Sequence, residues 1–285
     1  MKKLIQGHEN FRRSYVPHNL DRLEELSQGQ KPRVLFITCS DSRVDPNLIT
    51  QADIGELFVI RNAGNIIPPY GAANGGEGAA VEYAINALDI RQIIVCGHSH
   101  CGAMKGLLQL GKLEEEMPLV YEWLKHSEAT RRLVKENYSQ YSGEELLEIT
   151  IAENVLTQIE NLQTYPIVHS RLYQGKLEIF AWIYHLETAE LLAFDPETHS
   201  YVPPQSQLSV EEVGGLIPGK YHRTNAPPVA CELVHQSPVA ANGKARTFEP
   251  RSSTQSENSI EATPWLTPEQ ADRIYRGSTT KRVSL

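Results

Sequence analysis

Two cysteines and a histidine are the residues of this chain best suited to grip a metal ion. Cys39 opens the run Cys39-Ser40-Asp41-Ser42-Arg43, and His98 and Cys101 close the ends of His98-Ser99-His100-Cys101. Thiolate and neutral imidazole are donors that zinc prefers, and three protein ligands leave a fourth position open for water or substrate. Asp41 and Arg43 add a carboxylate that a paired, charge-assisted bond can keep ionised and aimed. Taken singly, Cys39 and Cys101 would also suit small core positions, and His98 a satisfied buried histidine. The set argues for chemistry.

Both runs follow short apolar, β-branched stretches, Val34-Leu35-Phe36-Ile37 and Ile93-Ile94-Val95, which read as buried strands ending in loops. Neighbouring parallel strands bring such loops to the carboxyl edge of one sheet, where α/β proteins place their sites. Asp45-Pro46 punctuates the start of a short helix, as N-cap and first helical residue. Leu57–Arg61 reads as the next strand, residues 63–76 as a glycine- and proline-rich loop near the proposed metal, and Glu77–Leu88 as a helix with an apolar stripe. A helix opening at Cys101 would turn its free amides toward the same pocket. Residues 119–137 and 144–163 are long helical patterns without chemical motifs and read as scaffold. Leu177–Tyr184 and Leu191–Phe194 suggest a hairpin at the sheet edge. The expected fold class is α/β: a mainly parallel central sheet flanked by helices, with an N-terminal helical arm and a largely disordered C-terminal extension.

Composition sets the remaining bounds. The chain has 285 residues, and its net charge of −8 leaves no basic surplus for neutralising phosphates, so nucleic acid is not an expected partner. Four scattered cysteines make no disulfide framework, and metal thiolates call for a reducing interior. No stretch reaches the length of an apolar membrane span, and no secretory leader is apparent, so the expectation is a soluble intracellular protein. Leu4, Ile5, Phe11 and Tyr15 share a helical face, continued by Leu20, Leu23 and Leu26 beyond Pro17; residues 1–30 therefore read as an N-terminal helical arm ahead of the sheet. Residues 31–204 read as the zinc-binding catalytic domain. The 17 prolines crowd toward the far end, so residues 205–262 read as a flexible linker. Residues 263–285 end the chain with Thr267 as N-cap, Pro268 at the first helical position, Gly277 as a stop, and Trp265, Leu266, Ile274 and Tyr275 as apolar anchors. That is the punctuation of a short docking helix.

Cys39-x-Asp41-x-Arg43 followed by His98-x-x-Cys101 resembles the signature of the β-class carbonic anhydrases. Val59-Ile60-Arg61-Asn62-Ala63-Gly64-Asn65 and Gly75-Gly76-Glu77-Gly78-Ala79-Ala80-Val81-Glu82-Tyr83 extend the resemblance. It is greatest to the cyanobacterial carboxysomal members, which also carry a long C-terminal extension. The resemblance implies one zinc ion per chain on Cys39, His98 and Cys101, and reversible hydration of carbon dioxide to bicarbonate by zinc-bound hydroxide. It implies Asp41 as acceptor of the hydroxide proton, with Arg43 holding it. Gln30 would bind a substrate oxygen, often across a dimer interface; Phe58 and Tyr83 would line the apolar pocket, and the Gly102 amide would donate to substrate. A homodimer or larger oligomer is implied, with residues 1–30 as its dimerisation arm, in the cytoplasm within the carboxysome, tethered by its tail to an assembly protein and supplying carbon dioxide to a carboxylating enzyme. Ala63 departs from the usual valine, which widens the pocket. Phe36 and Thr38 replace the tryptophan and glycine of bicarbonate-regulated members, which favours water over Asp41 in the fourth zinc position. His100 stays open between a proton shuttle and an exposed histidine. Two other readings keep the zinc: a structural scaffold whose tail recruits partners, and a CS2 or COS hydrolase.

Overall fold

The computed structural model describes residues 1–204 apart from positions 74, 197 and 199. The expected linker and docking tail lie outside the described residues. Two helices lead, α1 (Lys2–Ser14) and α2 (Leu20–Ser27), parted by a short turn containing Pro17. There follow β1 (Val34–Cys39), α3 (Pro46–Thr50), β2 (Leu57–Asn62), α4 (Gly76–Asn86), β3 (Gln92–His98) and α5 (Gly102–Leu108). The helices α6 (Leu113–Glu116), α7 (Pro118–Leu124), α8 (Glu128–Asn137), α9 (Gly143–Gln163) and α10 (Pro166–Tyr173) precede β4 (Glu178–Tyr184), β5 (Leu191–Asp195) and β6 (Ser200–Val202).

The strands make one sheet in the order β2-β1-β3-β4-β5-β6. β2, β1, β3 and β4 are parallel, and β5 and β6 fold back antiparallel. Central parallel strands are buried on both faces, which is why β1 and β3 read as unbroken apolar runs. Successive side chains still alternate. Leu35, Ile37, Ile93 and Val95 belong to the main core, while Phe36, Ile94 and Cys96 face a second, smaller one with Trp182 and Phe180. α9 lies directly on β3: a Cβ on Gly97 would sit 2.8 Å from Val155 Cγ2, so only glycine lets this helix approach.

Local signals behave as their chemistry dictates. Asp45 caps α3 by accepting the Leu48 amide at 3.1 Å, with Pro46 behind it. Two features depart from the expected layout. The β4–β5 hairpin is not the sheet edge, because β4 pairs in parallel with β3 along its whole length and β6 closes the edge beyond β5. Three residues are too few to show a period-two pattern, so β6 left no mark in the sequence. The helical stretch over 119–137 is also broken, by a 3-10 turn at Lys125–Ser127.

The leading helices bury none of their residues, and Leu4 and Leu20 stand exposed. Among the described residues no helix is long and apolar enough to cross a membrane.

Candidate active site

Register gathers the site. β1 ends on Cys39 and β3 on His98, both at the carboxyl edge, and Cys101 sits at the cap of α5 three residues later. One ligand atom from each of Cys39, His98 and Cys101 lies within 4.8 Å of the others, and all three residues are buried. His98 Nδ1 donates to the Ser99 carbonyl at 2.9 Å, which fixes the tautomer. Its Nε2, fully buried, then lies with the two sulfurs and has no hydrogen-bond partner among the described residues. A buried orphan of that kind is costly unless a ligand completes it. The Cys101 thiol, and after it His98 and the Gly64 amide, hold Cys39 well below the ordinary thiol pKa against the cost of burial. That shared proton, with burial, pushes Cys101 up. Cys96 has no such neighbours, and burial pushes it up to about 12; it is a core thiol. Two sulfurs and one imidazole nitrogen, with one proton for a cation to displace, fit a zinc-type ion.

Asp41 stands beside this cluster, its Oδ2 3.9 Å from His98 Nε2. Arg43 grips it in a fork, Nε to Oδ1 at 2.9 Å and an Nη to Oδ2 at 2.8 Å, and the Arg43 amide adds a third bond at 3.0 Å. The guanidinium foremost holds the Asp41 carboxyl well below the usual carboxylate range. The loop carrying both is itself held by Arg61, which donates to the carbonyls of Cys39 at 3.0 Å and Asp41 at 2.7 Å.

Facing the cluster is the loop after β2, several of whose backbone groups have side-chain partners. Asn62 pairs with both backbone groups of Ile66, and Trp123 donates to the Ala63 carbonyl at 2.8 Å. Asn154 donates to the Gly64 carbonyl, Gln158 accepts the Ile67 amide, and Asn161 donates to the Ile67 carbonyl. Three of these groups belong to α9, which the sequence presents as plain scaffold. The amides at 154, 158 and 161 recur at helical spacing, but Glu144, Glu145, Glu148, Glu153 and Glu160 share the helix, so the stripe does not stand out in the sequence.

The remaining expected site residues divide. Gly102 opens α5 next to Cys101, and a Cβ there would meet nothing within 4 Å, so its backbone borders open space. Phe58 and Tyr83 pack as a tilted pair with ring centroids 6.1 Å apart. Phe58, however, pairs with Leu35, four residues back along β1 from Cys39 and so about 13 Å away along the strand. Gln30 precedes β1 altogether, at its opposite end. Gln30 and Phe58 thus sit away from the carboxyl edge that carries their own chain's cysteines, with Tyr83 against Phe58. His100, in a left-handed conformation at φ 54°, turns outward between Glu144 and Glu187.

Comparison with known proteins agrees with this geometry. A family model described as carbonic anhydrase matches residues 34–191. A carbonic anhydrase of Synechocystis is 55% identical over 98% of this chain and all of the relative's length. One of Pseudomonas aeruginosa is 41% identical over 97% of its own length but 75% of this chain. Among solved structures, the beta-carbonic anhydrase CcaA superposes with a TM-score of 0.71 at 65% identity, covering 72% of this chain and 99% of that one.

Proposed function

Because the chain belongs to the β-class carbonic anhydrases, enzymes that interconvert carbon dioxide and bicarbonate, we propose that Cys39, His98 and Cys101 hold one zinc ion as the centre of that reaction. The observation that carries this reading is the buried His98 Nε2, which lies with two sulfurs and is unpartnered among the described residues. Bound there, zinc supplies Lewis acidity that makes water a competent nucleophile near neutral pH, as in other carbonic anhydrases.

The chain's own residues do the rest. Asp41 accepts the O–H of the attacking water, turning a lone pair toward the carbon of carbon dioxide. Arg43 keeps Asp41 ionised and, through its fork, fixes the carboxylate so that it aims at the water instead of taking a metal position itself. The Gly102 amide borders the space where a substrate oxygen would lie. Gln30, Phe58 and Tyr83 complete the pocket from a second subunit. The unburied arm of α1 and α2, and the edge of β2, which no strand pairs among the described residues, are surfaces that a second copy would cover.

We place the enzyme in the carboxysome, where dehydration of bicarbonate supplies a carboxylating enzyme. The likeness to Synechocystis runs through the C-terminal extension, which the Pseudomonas relative has no length to match. That extension is the part we assign to docking on a carboxysome assembly protein.

Stopped-flow hydration of carbon dioxide, with zinc measured on the same sample, tests the proposal. Fast hydration with zinc at about one per chain is expected, and a chain ending at Pro204 should hydrate at the same rate. Full zinc without hydration would overturn it.

A further inference from the structure

One peptide of the loop after β2 joins the metal cluster to α7. The Ala63 carbonyl and the Gly64 N–H belong to the same planar, trans peptide, so they point in opposite directions and turn together. Trp123 Nε1 donates to that carbonyl at 2.8 Å, and the N–H points at Cys39 Sγ, 3.5 Å away. Swinging the N–H off the sulfur therefore breaks the indole bond. The indole is itself well seated. Its neighbour Leu124 ends α7, is fully buried and packs on α5, where a Cβ on Gly106 would lie 3.3 Å from Leu124 Cδ1. His126 meets the indole edge-on, with ring centroids 5.6 Å apart. Cys101 caps α5, so the helix on which α7 rests also carries a metal ligand. The next peptide along is held separately, by Asn154 donating to the Gly64 carbonyl at 3.0 Å.

We propose that Trp123 is a positioning residue for the metal centre: by holding the Ala63 carbonyl it aims the N–H of the same peptide at the Cys39 sulfur. The inference rests on the reading of Cys39, His98 and Cys101 as metal ligands. The indole acts in a second way as well, because a donor on a peptide carbonyl polarises the peptide and makes its N–H the stronger donor. A donor on a ligating thiolate draws charge from sulfur, so the sulfur gives less to the metal and leaves it the stronger Lewis acid; outer partners commonly tune metal sites in this way. Helix α7 thereby tunes the metal centre without touching it.

The test uses the full chain loaded with cobalt(II), whose sulfur-to-metal charge-transfer band reports the charge on the thiolates. One variant carries benzothienylalanine in place of Trp123, which keeps the shape of the indole but has sulfur where the N–H was. The second is Trp123→Phe. Both should bind cobalt as the wild type does, with the band moved to longer wavelength because the Cys39 sulfur is richer in electrons. A crystal structure of the benzothienylalanine variant should show Gly64 N withdrawn from Cys39 Sγ beyond the 3.5 Å of the wild type. Thr130→Val is the control: it removes a buried hydrogen bond between α8 and α9, Thr130 to Thr157 at 2.9 Å. It should cost stability yet leave the band in place. Cobalt bound by the benzothienylalanine variant with an unmoved band, or with Gly64 N still at its wild-type distance, would overturn the inference even if Trp123→Phe proved unfoldable. So would an equal band shift in Thr130→Val. Failure of the wild type to bind cobalt would instead overturn the assignment of the ligands.

Discussion

At the scale of single residues, the site separates holding a metal from using it. Cys39, His98 and Cys101 converge whether or not Asp41 is present, since strand register and the cap of α5 place them. The backbone contacts of Asp41, its amide to Cys39 and its carbonyl to Arg61, do not depend on its side chain. Asp41→Ala should therefore keep its zinc by atomic absorption and lose hydration rate by about a hundredfold or more in stopped flow. Arg43→Lys should follow in the same direction, because an ammonium cannot reproduce the fork. The pH dependence has a definite sign. Arg43 depresses the Asp41 pKa, so the pair's contribution is present above the unfolded carboxylate value and is lost only as pH falls through the still lower folded value. Asp41 is accordingly ionised throughout the neutral range. Any neutral-pH midpoint in the rate should survive in Asp41→Ala with its height reduced; a midpoint that vanishes would mean Asp41 itself titrates there.

Elements explain both what could be read from the sequence and what could not. Each metal ligand follows a strand whose apolar run is visible, and Asp45-Pro46 announces α3 because capping is local chemistry; hence the parallel sheet and the metal cluster were legible. What α9 does was not, since its amides act over separations such as Gly64 to Asn154 that no local pattern encodes. β6 likewise owes its place to pairing with β5 and to Tyr201 Oη, which donates to the Ala152 carbonyl on α9. The same helix carries a group whose burden can be measured. Glu153 is buried, accepts Tyr138 Oη at 2.6 Å, and burial chiefly pushes it up to about 7, with Glu160 on the same helix adding a little. A carboxyl whose folded pKa exceeds its unfolded value favours the folded state below the unfolded value, and that advantage is lost as pH rises through the folded one. The stability of the wild type should fall between roughly pH 4.5 and 7, by about 3 kcal/mol from this group. Urea unfolding of Glu153→Gln should show that slope largely removed; an unchanged slope would mean Glu153 stays charged in the core.

At the scale of the whole molecule, the placement of Gln30, Phe58 and Tyr83 decides how many chains make a site. Gln30 and Phe58 lie at the far end of β1 and β2 from the metal cluster of their own chain, with Tyr83 against Phe58. If they act on substrate, they act on a neighbour's. The unburied arm and the β2 edge supply surfaces for a two-fold interface, which gives each subunit's residues to the other reciprocally. Complementation follows from that symmetry. Cys39→Ser lacks a metal ligand but keeps its pocket residues. A double variant, Gln30→Ala with Phe58→Ala, lacks pocket residues but keeps its metal. Each alone should hydrate carbon dioxide poorly. After co-refolding in equal amounts, half the dimers are mixed, and each mixed dimer rebuilds one complete site of two, so activity should recover to about a quarter of wild type. If every chain served its own metal, no mixture could contain a complete site and the sum would stay at the level of the separate variants. The assay therefore reads the origin of the pocket directly, independently of how large the final assembly is.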